Sequence, residues 1–199
     1  MSHPGTQASK PSSPAHGEGR AALLAAVVSV VARKGMRGFT FRAVAAEAGV
    51  NHTLINHHFG SMQALLVATT EWVVERSIEE TGLALFADSS EEFAETLISS
   101  AARNPELQMF QLEIIIESRR QPELRVAVSR LYQAYVDSVR DALQRRGLSG
   151  DMEEARVIFA ALNGLVLQLL TVVDPETIRS ALVHVGSILG TTDAVQDGT

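Results

Sequence analysis

Polar but uncharged side chains crowd residues 51–58, which read Asn-His-Thr-Leu-Ile-Asn-His-His. Imidazole and carboxamide groups both donate and accept hydrogen bonds, and Ile55 and Phe59, four apart, form the inward stripe of a short helix. The remaining face can hydrogen-bond to base edges in a DNA groove, with the methyl groups of Thr53 and Leu54 available to thymine. A polar face that is simply solvated is the alternative interpretation.

The same histidines fit a metal site poorly. His52 and His57 are five apart and His57 and His58 are adjacent, whereas two ligands on one helix face need a spacing of four. The chain has no cysteine, which excludes disulfides, thiolate nucleophiles and cysteine-ligated zinc. The sequence also lacks a nucleophile elbow and a phosphate-binding glycine loop. We therefore expect no catalytic residue, no metal and no cofactor, in a cytoplasmic protein.

Two short helices must position these polar side chains. Thr40 can cap the first of them and Asn51 the second. Between the helices, Gly49 permits a tight turn and Val50 fills the angle. The side chains that can face inward on the first short helix are Phe39, Phe41, Val44, Ala45 and Ala48. The pattern predicts a helix-turn-helix.

The rest of the chain from Arg20 onward is also predicted to be helical, because apolar residues recur at intervals of three and four. Pro105, Pro122 and Pro175, each followed by Glu, mark helix starts. The predicted helices lie near 20–34, 41–48, 52–59, 61–86, 90–103, 105–120, 122–146, 151–173 and 175–189. The fold class is therefore all-α, with about nine helices: a three-helix N-terminal unit followed by a larger helical domain.

Charge is distributed unevenly along the 199 residues. The net charge of −6 speaks against binding to a polyanion. Residues 1–65, however, carry six basic and two acidic side chains, whereas residues 66–199 carry 11 basic and 21 acidic ones. The N-terminal segment alone is therefore positive and favours phosphate.

Residues 20–66 resemble the DNA-binding domain of the TetR family of transcriptional regulators. The matching positions are Leu23-Leu24, the helix end at 32–35, Phe39-Thr40-Phe41-Arg42, Val44-Ala45, Ala48-Gly49-Val50, His58-Phe59, Ser61 and Leu65-Leu66. The resemblance implies that Thr40 and Arg42 hold phosphates of double-stranded DNA. It further implies a base or phosphate face formed by Asn51, His52, Thr53, Asn56 and His57.

Five positions depart from the family pattern, of which Asn51 in place of the usual Ser is harmless, because both side chains can cap a helix. The family usually has Gly at Thr53, Tyr at Asn56 and His57, and Lys at Met62, and the Tyr and Lys side chains commonly hold phosphates. We expect the usual docking mode with fewer charged contacts. We also expect the backbone amides at the helix start near Met62 to remain available to an anion.

The resemblance divides the chain into four segments. Residues 1–19, rich in Pro, Gly and Ser, are predicted to be a disordered tail. Residues 20–65 are the helix-turn-helix domain, residues 66–190 an effector-binding and dimerisation domain, and residues 191–199 a second tail.

The predicted helix near 151–173 is apolar around most of its circumference and must be covered on two sides. Its uncharged stretch, 157–173, is marginal for a membrane span and normal for a buried helix, so no membrane partner is expected. The family implies that a twin subunit covers it, which gives a homodimer on a pseudo-palindromic operator.

Between the long helices, the family usually encloses a pocket for a small-molecule effector. Candidate lining residues are Trp72, Gln108, Phe110, Gln111, Glu113, Tyr132, Tyr135, Asn163 and Gln168. Core or solvent positions are the alternative for each of them. An acid such as Glu113 near the pocket would favour a cationic or hydroxylated effector.

The sequence therefore predicts a sequence-specific DNA-binding regulator, a repressor that a small molecule releases from its operator. A helical interaction module that has lost DNA binding is the alternative, suggested by the missing phenols and by Met62. A helical enzyme is the third class considered.

Overall fold

The structure, a computed structural model, describes residues 16–84, 90–148 and 150–191, which contain helices and turns but no strand. The helices are α1 (His16–Lys34), α2 (Phe41–Glu47), α3 (Thr53–Phe59), α4 (Met62–Ala84), α5 (Ser90–Arg103), α6 (Pro105–Glu117), α7 (Pro122–Arg145), α8 (Met152–Thr171) and α9 (Pro175–Thr191). A single 3-10 turn, Met36–Gly38, joins α1 to α2. The predicted all-α fold is confirmed.

Proline begins three of these helices, as predicted, since α6, α7 and α9 each start at one. The carboxylate of Asp174 caps α9 by accepting hydrogen bonds from the Thr177 amide at 3.0 Å and the Thr177 hydroxyl at 2.7 Å. These hydrogen bonds lower the pKa of Asp174. Asp151 caps α8 in the same way, through the Glu154 amide at 2.7 Å.

Helix α1 begins at His16, so residues 16–19 are helical where a tail was predicted. Once a helix has formed, each residue added to its end gains a backbone hydrogen bond. Helix α1 can therefore begin a turn before the first apolar residue of the sequence pattern. The rest of the predicted tails, 1–15 and 192–199, lies outside the described residues. The predicted boundary between residues 65 and 66 falls inside the continuous helix α4.

Two apolar cores organise the molecule. The first joins α1–α3, which we call the head, to α4 and to residues of α6 and α7; its largest fully buried members include Leu23, Leu24, Ile55, Phe110 and Leu124. The second joins α5 to α7, α8 and α9. Because the first core includes side chains from α6 and α7, the head is packed directly on the helices that follow it.

Polar contacts also tie the head to α6. Arg33, at the end of α1, forms ion pairs with Glu47 of α2 and, at 3.5 Å, with Glu106 of α6. The Ser29 hydroxyl donates to Glu47 at 3.1 Å. The hydrogen bonds from Arg33 and Ser29 lower the pKa of Glu47, because they favour its charged form.

Helix α8 leaves apolar surface uncovered. Val157 is 70% exposed and Leu167 is 42% exposed, and Val172, just after the helix, is 83% exposed. By length and composition α8 is also the one helix in the described ranges that is apolar enough to cross a membrane. Core helices of water-soluble proteins meet the same two criteria, so these properties alone do not assign it to a bilayer.

Candidate nucleic-acid interface and helical cleft

The turn between α2 and α3 has the predicted geometry. The Thr40 hydroxyl accepts a hydrogen bond from the Ala43 amide at 3.2 Å and caps α2. Gly49 has a φ of 65°, a left-handed conformation that glycine adopts without strain. Val50 packs against the first core, which holds α3 at an angle to α2.

His52, and not the predicted Asn51, occupies the N-cap position of α3, and it makes no side-chain capping hydrogen bond. The side chain of Asn51, one residue earlier, holds the first turn instead. Its Oδ1 accepts hydrogen bonds from the Thr53 amide at 3.0 Å and from the Thr53 hydroxyl at 3.1 Å. Its backbone carbonyl accepts from the Leu54 amide at 2.9 Å. The Asn51 carboxamide oxygen is therefore engaged within the protein.

The predicted base-contacting face lies on the surface. All five of its side chains are exposed: Asn51, His52, Thr53, Asn56 and His57. Ile55 is fully buried on the opposite side of α3, and Phe59 packs against the same core. Leu54 is half-buried against that core as well, so its methyl groups are less available to a partner than the sequence suggested.

Phe41 departs from the prediction, because it is 39% exposed whereas Val44 and Ala45 of the same stripe are buried. Phe41 is the first residue of α2 and lies at the end of the stripe, where the core no longer covers it. Its neighbours Thr40 and Arg42 are exposed too, so the start of α2 presents a surface beside α3.

The start of α4 is poorer in anion-binding groups than predicted. The Ser61 hydroxyl accepts a hydrogen bond from the Ala64 amide at 3.0 Å, so this backbone donor is already used. Met62 packs against the first core. A cation lies instead near the end of α3, where the Arg20 guanidinium stacks 5.3 Å from the centre of the Phe59 ring.

A cleft opens between α6, α7 and α8 and holds about 310 Å³ of empty space, including its open mouth. Five of the nine predicted effector contacts line it: Gln108, Gln111, Tyr132, Tyr135 and Asn163. The other lining residues, absent from the prediction, are Leu112, Leu131, Phe159, Val166 and Ile115. Helical periodicity starting from Gln108 would have found Leu112 and Ile115, which follow at four and seven residues.

The other four candidates lie away from the cleft. Phe110 is fully buried in the first core, and Trp72 packs against the same core with the Arg76 guanidinium 5.1 Å from its ring centre. Gln168 is exposed on α8. Glu113 faces the head, since its Oε1 is 3.7 Å from where a Cβ on Gly35 would be.

A buried polar chain connects the cleft to α4. The Gln111 amide donates to the Ser77 hydroxyl at 2.7 Å, and the Tyr135 hydroxyl donates to Gln111 Oε1 at 3.1 Å. Phe159 packs edge-on against Tyr132, with ring centres 5.3 Å apart. Burial raises the pKa of Tyr132, so this phenol is neutral at pH 7, and the whole lining is uncharged.

A helix-turn-helix whose second helix presents an exposed polar face is the arrangement of DNA-binding proteins, and the helices behind it form a cleft of the kind that binds small molecules. Comparisons with known proteins agree. Residues 23–69 match the family described as bacterial regulatory proteins, tetR family, and residues 83–187 match the tetracyclin repressor-like C-terminal domain.

Individual relatives are similar over most of their length. The chain is 30% identical over 164 residues to the HTH-type transcriptional regulator CymR of Pseudomonas putida, which covers 77% of this chain and 80% of CymR. A Rhodococcus sp. structure described as a TetR-family transcriptional regulator is 26% identical, with a TM-score of 0.66 over 90% of this chain and 98% of its own. The multidrug binding protein EbrR, complexed with imidazole, is 26% identical, with a TM-score of 0.60 over 83% and 93%.

The chain therefore belongs to the TetR family and is a DNA-binding transcriptional regulator. Regulators of this family are non-enzymatic transcription factors of the cytoplasm that act on DNA operators as dimers and bind small-molecule effectors.

Proposed function

We propose that this protein is a cytoplasmic homodimeric repressor that holds a pseudo-palindromic operator through α3 and releases it when a small molecule enters the cleft. In this proposal residues 20–65 bind DNA, and residues 66–190 bind the effector and the twin subunit. The observation that carries the proposal is the exposed polar face of α3, which the Asn51–Thr53 hydrogen bond and the buried Ile55 hold in place.

The phosphate contacts in this proposal come from Thr40 and Arg42, which are exposed at the start of α2 beside α3. Arg42→Ala is expected to weaken binding to every duplex and to lower the salt slope by about 0.9 per chain. Arg130→Ala removes another exposed charge, from α7, and serves as the control. Equal slopes for both variants would remove Arg42 from the interface.

Selection of bound duplexes from a random pool tests the DNA-binding part of the proposal. The expected result is an inverted repeat with half-site centres separated by about one helical turn, roughly 34–36 Å, or a multiple of it. Failure to enrich any sequence, with binding that does not depend on salt, would favour an interaction module that has lost DNA binding.

The partner that covers α8 in this proposal is a second copy of the chain. The exposed Val157, Leu167 and Val172 form apolar surface that water solvates poorly, and a symmetric interface pairs each such patch with its own copy. A dimer also carries two α3 helices, one for each half of an inverted repeat.

The cleft indicates the chemistry of the effector. Its amide and phenol groups are neutral and its remaining lining is apolar and aromatic, so a charged ligand would lose hydration without gaining an ionic partner. We therefore propose a neutral, planar effector that forms hydrogen bonds. A cationic effector is not favoured, because Glu113 lies near Gly35 and not in the cleft. The complex of EbrR with imidazole shows a small ring compound bound by a relative.

Calorimetry with benzamide, benzoate and benzylamine tests this proposal, since these probes share one ring and differ in charge. Benzamide is expected to bind most tightly. Asn163→Leu, which removes a polar group from the lining, is expected to weaken benzamide binding, while Gln133→Leu, at an exposed position of α7 outside the lining, is the control. Tightest binding of benzoate or benzylamine would contradict a neutral effector.

The polar chain from Tyr135 through Gln111 to Ser77 gives a route for release. A ligand that hydrogen-bonds to Gln111 competes with the Ser77 hydroxyl and so changes how α6 packs on α4. Only Gly60 and Ser61 separate α4 from α3, so a shift of α4 reorients α3. Such a ligand binds the DNA-free arrangement more tightly and moves the population towards it.

A further inference from the structure

Asn56 is the one carboxamide on the outward face of α3 whose polar atoms are both free of protein contacts in the described ranges. Resting on the function proposed above, we propose that Asn56 reads an adenine at one position of each operator half-site. It therefore determines part of the operator sequence.

The placement of Asn56 follows from helix geometry. Thr53, Asn56 and His57 have the spacing i, i+3 and i+4 and share one face of α3, turned away from the buried Ile55. All three side chains on this face are exposed. Asn56 follows Ile55 directly, so it lies about 100° from Ile55 around the helix, at one edge of the face that a groove would meet.

The neighbouring groups are partly committed to contacts within the protein. Asn51 Oδ1 accepts two hydrogen bonds from Thr53, one from its backbone amide and one from its side-chain hydroxyl. The Thr53 hydroxyl therefore has no second proton to donate to a base. The His57 ring packs edge-on against His58, with ring centres 5.2 Å apart. The carboxamide of Asn56, in contrast, has no hydrogen-bond partner among the residues that the structure describes.

A free carboxamide matches adenine better than any other base. In the major groove adenine presents the N6 amino group as a donor beside N7 as an acceptor, and Asn pairs with both through Oδ1 and Nδ2. Guanine presents two acceptors at the same edge and leaves Oδ1 without a donor. An unpaired polar atom in the interface is costly, so the contact discriminates between the bases.

The experiment starts from the operator recovered with the wild-type protein from the random pool. Each base pair of one half-site is then changed in turn, and the affinity of the full chain is measured by fluorescence anisotropy at fixed salt. For the wild type, replacing one A·T pair by G·C is expected to cost about 5- to 140-fold in affinity, the range of one bidentate contact. For Asn56→Ala the cost at this pair falls below about twofold, while the other positions keep their effects.

Two further variants sharpen the result. Asn56→Asp keeps the shape but replaces the donor by an acceptor, and it is expected to shift the preference from adenine to cytosine, whose N4 donates. Asn104→Ala removes another exposed carboxamide, at the start of α6, and is expected to keep the wild-type profile. Circular dichroism of each variant shows that it is folded.

The outcomes separate the two proposals. An Asn56→Ala profile identical to the wild type, or a lost preference for a base other than adenine, overturns the role of Asn56 and leaves the regulator function intact. A wild-type protein that enriches no sequence overturns the proposed function, and the role of Asn56 with it.

Discussion

Replacing Gln111 by Leu tests the buried polar chain that links the cleft to α4. Gln111 is 6% exposed and forms hydrogen bonds to both Ser77 and Tyr135. Each such bond contributes about 0.5–1.5 kcal/mol net, so losing both is expected to lower the free energy of unfolding by about 1–3 kcal/mol. Leu has a similar volume to Gln, which keeps the contribution of a cavity small.

Urea denaturation at a fixed protein concentration measures this free energy, because the stability of a dimer depends on concentration. A double-mutant cycle isolates each bond. Tyr135→Phe and Ser77→Ala are each expected to cost about 0.5–1.5 kcal/mol less in the Gln111→Leu background than in the wild type.

Gln108→Leu is the matched control, since Gln108 lines the same cleft one turn earlier on α6 and is more exposed than Gln111. It is expected to change the free energy of unfolding by less than about 0.5 kcal/mol. Coupling energies below about 0.3 kcal/mol for both pairs would refute the reasoning, because the three side chains would then act independently.

Three further predictions concern packing, pH and assembly. Phe110→Ala is expected to cost about 3–5 kcal/mol of unfolding free energy and Phe41→Ala less than about 1 kcal/mol, because only Phe110 is enclosed by the core; equal losses in urea denaturation would contradict this packing. A hydrogen bond from Arg179 of α9 lowers the pKa of Glu95 in α5. This interaction therefore stabilises the fold above the ordinary Glu pKa of 4.5, and the stabilisation is lost as the pH falls below that value. The stability difference between the wild type and Glu95→Gln should therefore shrink from about pH 6 to about pH 3, and a constant difference would argue against the ion pair. Leu167→Glu places a charge on the exposed apolar face of α8 and is expected to sediment as a 21.4 kDa monomer, whereas an unchanged dimer would exclude this face from the interface.

The sequence predicted the helices well because their ends carry local signals. Pro105, Pro122 and Pro175 begin helices where expected, and Thr40 forms the predicted cap of α2. Each of these features depends on a few neighbouring residues and their backbone hydrogen bonds. The exposed face of α3 could also be predicted from the sequence, because a single apolar stripe faces the core and the other side chains must then face outward.

The cleft was only partly predictable because it depends on which helix faces meet. Phe110 and Gln111 are adjacent in sequence, yet one is buried in the first core and the other lines the cleft. Phe159 carries no signal that separates a lining residue from a core residue. Glu113 lies near Gly35 and not at the cleft, and a local sequence pattern does not reveal this proximity because the two residues are far apart in the chain.

The stoichiometry of the protein on its operator tests the central claim most directly. Analytical ultracentrifugation of the full chain with the selected duplex is expected to show two chains on one duplex, and no stable complex on a duplex that carries a single half-site. A complex of one chain that binds the full site and the half-site equally well would contradict a dimer that presents two α3 helices to an inverted repeat.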